Sequence, residues 1–242
     1  MLAKTDRLVI VGLGETARMA YEYFTHDSPF EVVAFSVEQA FITQERFLDL
    51  PIVGFEDVER HYDPAEVRMF VAISSSQLNR LRARLYGAAK AKGFRLVSYV
   101  SSKAFVWHDV QIGDNCFILE HNVLQLGVRI GNNVVLWSSN HLGHQSRVGD
   151  HCFLSSHVVI AGYTAIGEYC FFGVGACVAN NLTIAPSCAI GIGAVITANT
   201  SEGQVYAGAR ARPSSATGAR VFGFDRELPP AERAAGGASR EP

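Results

Sequence analysis

The stretch Ile130-Gly131-Asn132-Asn133-Val134-Val135-Leu136-Trp137-Ser138-Ser139-Asn140-His141-Leu142-Gly143-His144-Gln145-Ser146-Arg147-Val148 carries an aliphatic residue at every sixth place. Followed outward in both directions, the same register reads Val100, Val106, Ile112, Ile118, Leu124, Ile130, Leu136, Leu142, Val148, Leu154, Ile160, Ile166, Phe172, Val178, Ile184, Ile190 and Ile196, all large and apolar. About half of the residues in an ordinary chain are apolar, so an unbroken run of this length is a pattern and not chance. The next residue is often glycine, as at Gly113, Gly131, Gly143, Gly149, Gly167, Gly173 and Gly191. Four places on, the residue is short, as at Ala104, Cys116, Ser146, Cys152, Thr164, Cys170, Ala176, Cys188 and Ala194.

A period of six fits neither an α-helix nor a simple strand. Three hexads closing one triangular turn of 18 residues satisfy it, with a short strand on each side and a small residue or glycine expected at each corner. Every aliphatic residue then points inward and stacks on its equivalent one coil away, about 4.8 Å along the axis. This pattern resembles the hexapeptide-repeat acyltransferases, whose fold is a left-handed parallel β-helix, and the resemblance spans residues 100–201.

The preceding residues follow another pattern. Leu8–Val11 reads as a buried strand, followed by Gly12-Leu13-Gly14-Glu15 and an amphipathic helix to about Phe24. Residues 31–35, 67–73 and 95–100 read as further strands, with a helix over 77–92. Strands alternating with helices predict a small parallel α/β sheet, half of a Rossmann-like fold. The expected organisation is an α/β domain over residues 1–97, a β-helix over 98–212 and an irregular tail over 213–242, rich in Pro, Ala, Gly and Arg.

With 242 residues and a formal net charge of −2, the chain is long enough for a real core and gives no electrostatic reason to expect a nucleic acid or an anionic membrane as partner. The apolar runs are strand-length, so none spans a bilayer. Met1 to Arg7 lead directly into a strand with no room for a signal peptide, and a cytoplasmic enzyme is expected.

Cys116, Cys152, Cys170 and Cys188 are 36, 18 and 18 residues apart, which puts them in one column of the coil. Packed core thiols are the expectation, with neither a disulfide nor a metal site.

Six histidines lie in the repeats. Leu142-Gly143-His144-Gln145-Ser146-Arg147-Val148-Gly149, with Gly162 one coil later, resembles the NeuD/PglD-type sugar acetyltransferases. The order of domains is also similar to theirs. That resemblance implies His144 as the catalytic base, with Gln145 beside it, and an amide at Gly162 near the acetyl group of acetyl-CoA. The chemistry suits a histidine, because an acceptor ammonium or hydroxyl must lose a proton before it attacks a thioester. Two places depart from the family. Gln145 stands where a carboxylate is usual, and Trp137 where asparagine is frequent; Asn140 or His141 is expected to take over that polar role.

Gly12 and Gly14, between a strand and a helix, can cradle a pyrophosphate on backbone amides or simply form a tight turn. Ala17 replaces the third glycine of the dinucleotide pattern, although Glu38 stands near the end of the second strand. The resemblance implies that Gly12, Gly14 and Glu15, with Ser74 and Ser75, line a nucleotide-sugar site that Trp137 and His141 complete. It also implies acetyl-CoA in a groove between neighbouring β-helices, against Gly162, Val174, Gly175, Gly208 and Arg210, and hence a homotrimer. The expected reaction is N-acetylation of a nucleotide-linked amino sugar, for surface polysaccharide or glycoprotein synthesis. The alternatives are O-acetylation of a sugar of the sialic-acid type and a non-catalytic β-helix scaffold.

Overall fold

The computed structural model describes residues 3–223. The chain divides at Gly208/Ala209 into two compact units. The α/β layer and the coil share the first unit.

Strand β1 (Asp6–Val11) lies at the centre of a sheet with β2 (Phe30–Val37), β3 (Arg46–Phe47), β4 (Leu50–Gly54), β5 (Val67–Val71) and β6 (Arg95–Leu96), in the order β3-β4-β2-β1-β5-β6. All pairings are parallel except β3 with β4. The sequence reading missed β4, whose Pro51 breaks its pattern. Helices α1 (Glu15–Asp27), α2 (Val58–His61) and α3 (Arg80–Ala91) complete the layer. Alternation along β1 separates two cores. Leu8 and Ile10 pack with Ala17, Ala20 and Phe24 of α1, whereas Val9 and Val11 pack with Leu85 and Ala89 of α3.

The expected strand over 95–100 is divided between two sheets. Arg95–Leu96 closes the α/β sheet, and Tyr99–Val100 opens the coil. From there two-residue strands pair in parallel with partners 18 residues away, as Phe117 with Val135 and Val135 with Phe153. They form three sheets, and the hexad aliphatics from Ile118 to Ile196 make one continuous core. Val205–Tyr206 adds a last rung to the first sheet after the period has ended.

The glycines of the repeat have a different cause from the expected one. The corners are turned three places after each aliphatic, mostly by non-glycine residues in the left-handed region, among them Asn133, Gln145, His151 and Tyr163 with φ of 56°, 59°, 61° and 58°. Each hands its N–H to the preceding coil, as Gln145 does to Leu126 at 2.8 Å, which offsets the cost of that conformation. The glycines lie just past the strands instead. A β-carbon on Gly143 would stand 2.6 Å from the nitrogen of Gly162 on the next coil, so it is coil stacking that excludes a side chain.

The outward residues differ from sheet to sheet. The first presents Tyr99, Phe117, Val135, Phe153 and Phe171, which pack against Phe24 and Phe70 of the α/β layer. The second presents Phe105, Val123, His141, Val159, Cys177 and Val195; the third presents Gln111, Arg129, Arg147, Ala165 and Thr183.

Cys116, Cys152, Cys170 and Cys188 are fully buried, and each thiol meets a carbonyl one coil along, as Cys152 does at Gly167, 3.1 Å away. Burial pushes the Cys116 thiol up to about 12. All five cysteines are free.

In the second unit, Gly218–Phe222 forms a short helix within the segment expected to be irregular. Thr217 caps it by accepting from the Arg220 N–H at 3.2 Å. Residues 224–242 of the expected tail lie outside the described residues.

Candidate active site

His144 stands on the corner between the second and third sheets, exposed on its outer face. Its N–H donates to the Gln125 side chain at 3.0 Å, and its carbonyl accepts from Tyr163 at 2.9 Å. The ring seats on Gly162, where a β-carbon would stand 2.8 Å from Nε2. Tyr163 meets the ring edge-on, with centroids 5.0 Å apart and planes at 89°. Gly162 is buried, and no acceptor among the described residues takes its N–H. That N–H is therefore free to donate to a ligand atom beside the histidine ring.

Gln145 differs from expectation. Its amide lies over Gly127, one coil back, where a β-carbon would stand 2.6 Å from the amide carbon. No hydrogen bond joins its side chain to His144 among the described residues. The ring is therefore positioned by Gly162 and Tyr163. Sequence reasoning passed over Tyr163, although its place beside Gly162 in the 18-residue register could have flagged it.

Asn140 does not take over a polar role in the site. It is buried, its amide donates to the Trp137 carbonyl at 2.7 Å, and its oxygen accepts from the Val158 N–H at 2.8 Å. Both ends serve the coil. Trp137 is half-buried and packs with the apolar cluster under the α/β layer, 6.3 Å from the Phe153 ring. His141 faces outward from the second sheet between Val123 and Val159.

At the carboxyl edge of the α/β sheet, Gly12 has a φ of 126°, and a β-carbon there would stand 2.8 Å from the Ala72 carbonyl. Glycine is required at that turn. Gly14 opens α1 with free space where a side chain would stand, and Glu15 is exposed beside it. Across the edge, Ser74 and Ser76 hydroxyls lie 3.3 Å apart. Glu38 is engaged by Arg84 through two bonds of 2.9 Å, so it is not free for a ribose.

The loop after β5 departs from the predicted helix. Gln77, Leu78 and Asn79 have φ of 55°, 50° and 67°, a left-handed turn closed by Asn79 N–H to the Ser75 carbonyl at 3.1 Å. Such residues cost about 1–2 kcal/mol each. Arg82 of α3 holds the loop, a role that no motif in the sequence marks. Only 1% exposed, it donates to the carbonyls of Ser74 at 2.8 Å, Cys152 at 3.1 Å and His151 at 3.3 Å, and to the Asn133 and Asn79 side chains. Burial pushes its guanidinium down to about 10.

Gly162 lies on the corner between the second and third sheets, whereas Val174 and Gly175 lie between the first and second. One chain does not bring these expected acetyl-CoA contacts together; they flank opposite edges of the second sheet. Gly208 packs at the end of the coil, with no room for a side chain beside the Ile192 carbonyl. Arg210, in the second unit, is exposed. Among the described residues no group of histidines, cysteines and carboxylates is arranged to hold a metal ion, and no helix is long and apolar enough to cross a membrane.

Residues 127–162 match the family model "Bacterial transferase hexapeptide (six repeats)". Among solved structures, the chain is similar to the acetyltransferase domain of PglB from Neisseria gonorrhoeae, at 25% identity over 87% of this chain and 100% of that one, with a TM-score of 0.76. It is also similar to PerB from Caulobacter crescentus, solved with CoA and GDP-perosamine, at 27% identity over 86% and 96% of the two chains and a TM-score of 0.73. WeeI from Acinetobacter baumannii, 18% identical over 84% and 97% with a TM-score of 0.71, shares the fold. No curated protein sequence matches the chain.

Proposed function

We propose that this chain, an acyltransferase of the hexapeptide-repeat class, moves the acetyl group of acetyl-CoA onto the amino group of a nucleotide-linked amino sugar in the cytoplasm. The observation that carries this reading is the seat of His144 on Gly162, an exposed imidazole beside a backbone N–H that no acceptor among the described residues takes. His144 takes a proton from the attacking amine as its nitrogen bonds to the thioester carbon. The Gly162 N–H stabilises the oxyanion of the tetrahedral species. Collapse releases CoA thiolate, to which the His144 proton returns. Direct transfer needs no nucleophilic cysteine, in keeping with a thiol column that is packed inside the coil.

The nucleotide is assigned to the loop of Gly12, Gly14 and Glu15 with Ser74 and Ser75, where the sheet edge is open above Gly14. The similar PerB, solved with CoA and GDP-perosamine, supports a nucleotide sugar as the class of acceptor. Gly162 of one copy and Val174–Gly175 of another would line the acetyl-CoA groove. A homotrimer built on the second sheet fits its outward Phe105, Val159 and Val195, which are 52%, 41% and 70% exposed.

The test is a CoA-release assay across UDP-, GDP- and dTDP-linked amino sugars. His144→Ala is expected to lose about 10²–10⁴-fold of kcat while keeping CoA and acceptor binding. Turnover like that of the wild type in this variant would sink the assignment. A monomeric mass by light scattering would remove the shared groove.

A further inference from the structure

The third sheet carries an arrangement that the coil itself does not need. Arg129 and Arg147 are directly opposite in adjacent parallel strands, about 4.8 Å apart along the axis. Like charges so placed repel. Among the described residues neither makes an ion pair. The rest of the ladder, Gln111, Ala165 and Thr183, offers no carboxylate. Asp109, an acid of this corner, accepts the Gly127 N–H at 3.0 Å.

The two arginines line a cavity of about 390 Å³ with Gly127, Gln145 and Tyr163. They also line a broader depression of about 540 Å³ along the same sheet. The cavity presents two guanidinium groups, an amide and a phenol, and no acid. Gln145 is central to that balance. A carboxylate at this place would lie against the arginines and neutralise the cavity, whereas the amide leaves it cationic. Tyr163 links the cavity to the His144 ring.

We propose that Arg129, Arg147 and Gln145 form an anion site for a phosphate group of one of the two co-substrates, beside His144 and on the coils away from Gly175. This rests on the acetyl-transfer reading above only for the source of the phosphate. Two guanidinium forks on one side of a cavity suit a diphosphate, each giving paired N–H donors to its oxygens. The ligand also removes the repulsion between the arginines, which are otherwise solvated on an open face.

The probe is inorganic pyrophosphate, titrated calorimetrically into the full chain. The expected result is that Arg129→Gln/Arg147→Gln weakens binding about tenfold or more and lowers its salt dependence, with the double lysine variant intermediate. Gln145→Glu is expected to weaken it likewise, without altering either arginine. Equal affinity in the wild type and the double glutamine variant overturns the site. Steady-state kinetics then separate the sources. A raised KM for acetyl-CoA points to CoA; a raised KM for the nucleotide sugar alone points to the acceptor. Unchanged KM values for both overturn the co-substrate assignment. Arginine-dependent pyrophosphate binding in a chain that transfers no acetyl group would uphold the site and reject the acetyl-transfer reading. The opposite pair of results would reject the site alone.

Discussion

The His144 ring occupies the space that a β-carbon on Gly162 would need: such an atom would stand 2.7 Å from Cε1, 2.8 Å from Nε2 and 3.0 Å from Nδ1. The proposed base and the proposed oxyanion donor are thus in contact through the absence of a side chain.

Gly162→Ala tests that contact. The Gly162 backbone is not in the left-handed region, and the obstructing group is the end of an exposed side chain. Folding should tolerate the change, with a melting temperature within a few degrees of the wild type. Displacing the ring by about 1 Å should cost on the order of 10²-fold in kcat. A fully active variant in the CoA-release assay would show that the seat does not position the base.

Arg82 should be among the costliest residues to replace. Among the described residues, Arg82→Met leaves the Ser74 and His151 carbonyls without a donor and the Cys152 carbonyl with the Val135 N–H alone. The expected loss is about 3–5 kcal/mol in chemical denaturation. Arg82→Lys should recover little of it, because one ammonium cannot span a planar fork of acceptors. A loss below about 1 kcal/mol in the methionine variant would remove Arg82 as the clamp of the loop after β5.

Thiol reactivity should divide the cysteines. Cys116, Cys152, Cys170 and Cys188 are fully buried, and burial pushes the Cys116 and Cys152 thiols up. Only Cys177 is partly accessible. Titration with a thiol reagent at pH 8 should show no more than one fast-reacting group in the native protein and all five after denaturation. Several fast thiols would contradict the packed column.

Asp27 and Glu120 should govern part of the acid limb of stability. Burial pushes both carboxyls up, but hydrogen bonds outweigh it. Asp27 accepts from the Ser102 N–H and the Tyr99 hydroxyl, and Glu120 from the Ser138 and Tyr23 hydroxyls, leaving both below the usual carboxylate range. Folded values below the unfolded ones give stability that is present above about pH 4 and lost as pH falls through the folded values. Asp27→Asn should lower the melting temperature at pH 7 and flatten its decline between about pH 5 and 3. An unchanged slope would show that these contacts between α1 and the coil carry no linked protons.

The hexad period was enough by itself to define the coil, its 18-residue register, the buried thiol column and the placing of His144 one coil from Gly162. Each of these follows from a local rule repeated along the chain: an inward side chain every six residues and a strand spacing every turn. The α/β order was legible for the same reason, since alternation and helical periodicity are written within single elements. Contacts between elements were decided only by the tertiary structure. The aromatic column of Tyr99, Phe117, Phe153 and Phe171 reads as outward-facing until α1 and the sheet cover it. Arg82 reads as one more charge on an Arg-rich helix until the coil surrounds it with carbonyls. Gln145 reads as a partner of His144 until its left-handed corner sends the amide back over Gly127. Local periodicity fixes which face a residue lies on, but which partner meets that face is set by the packing of distant segments, and the chemistry around His144 depends on that packing.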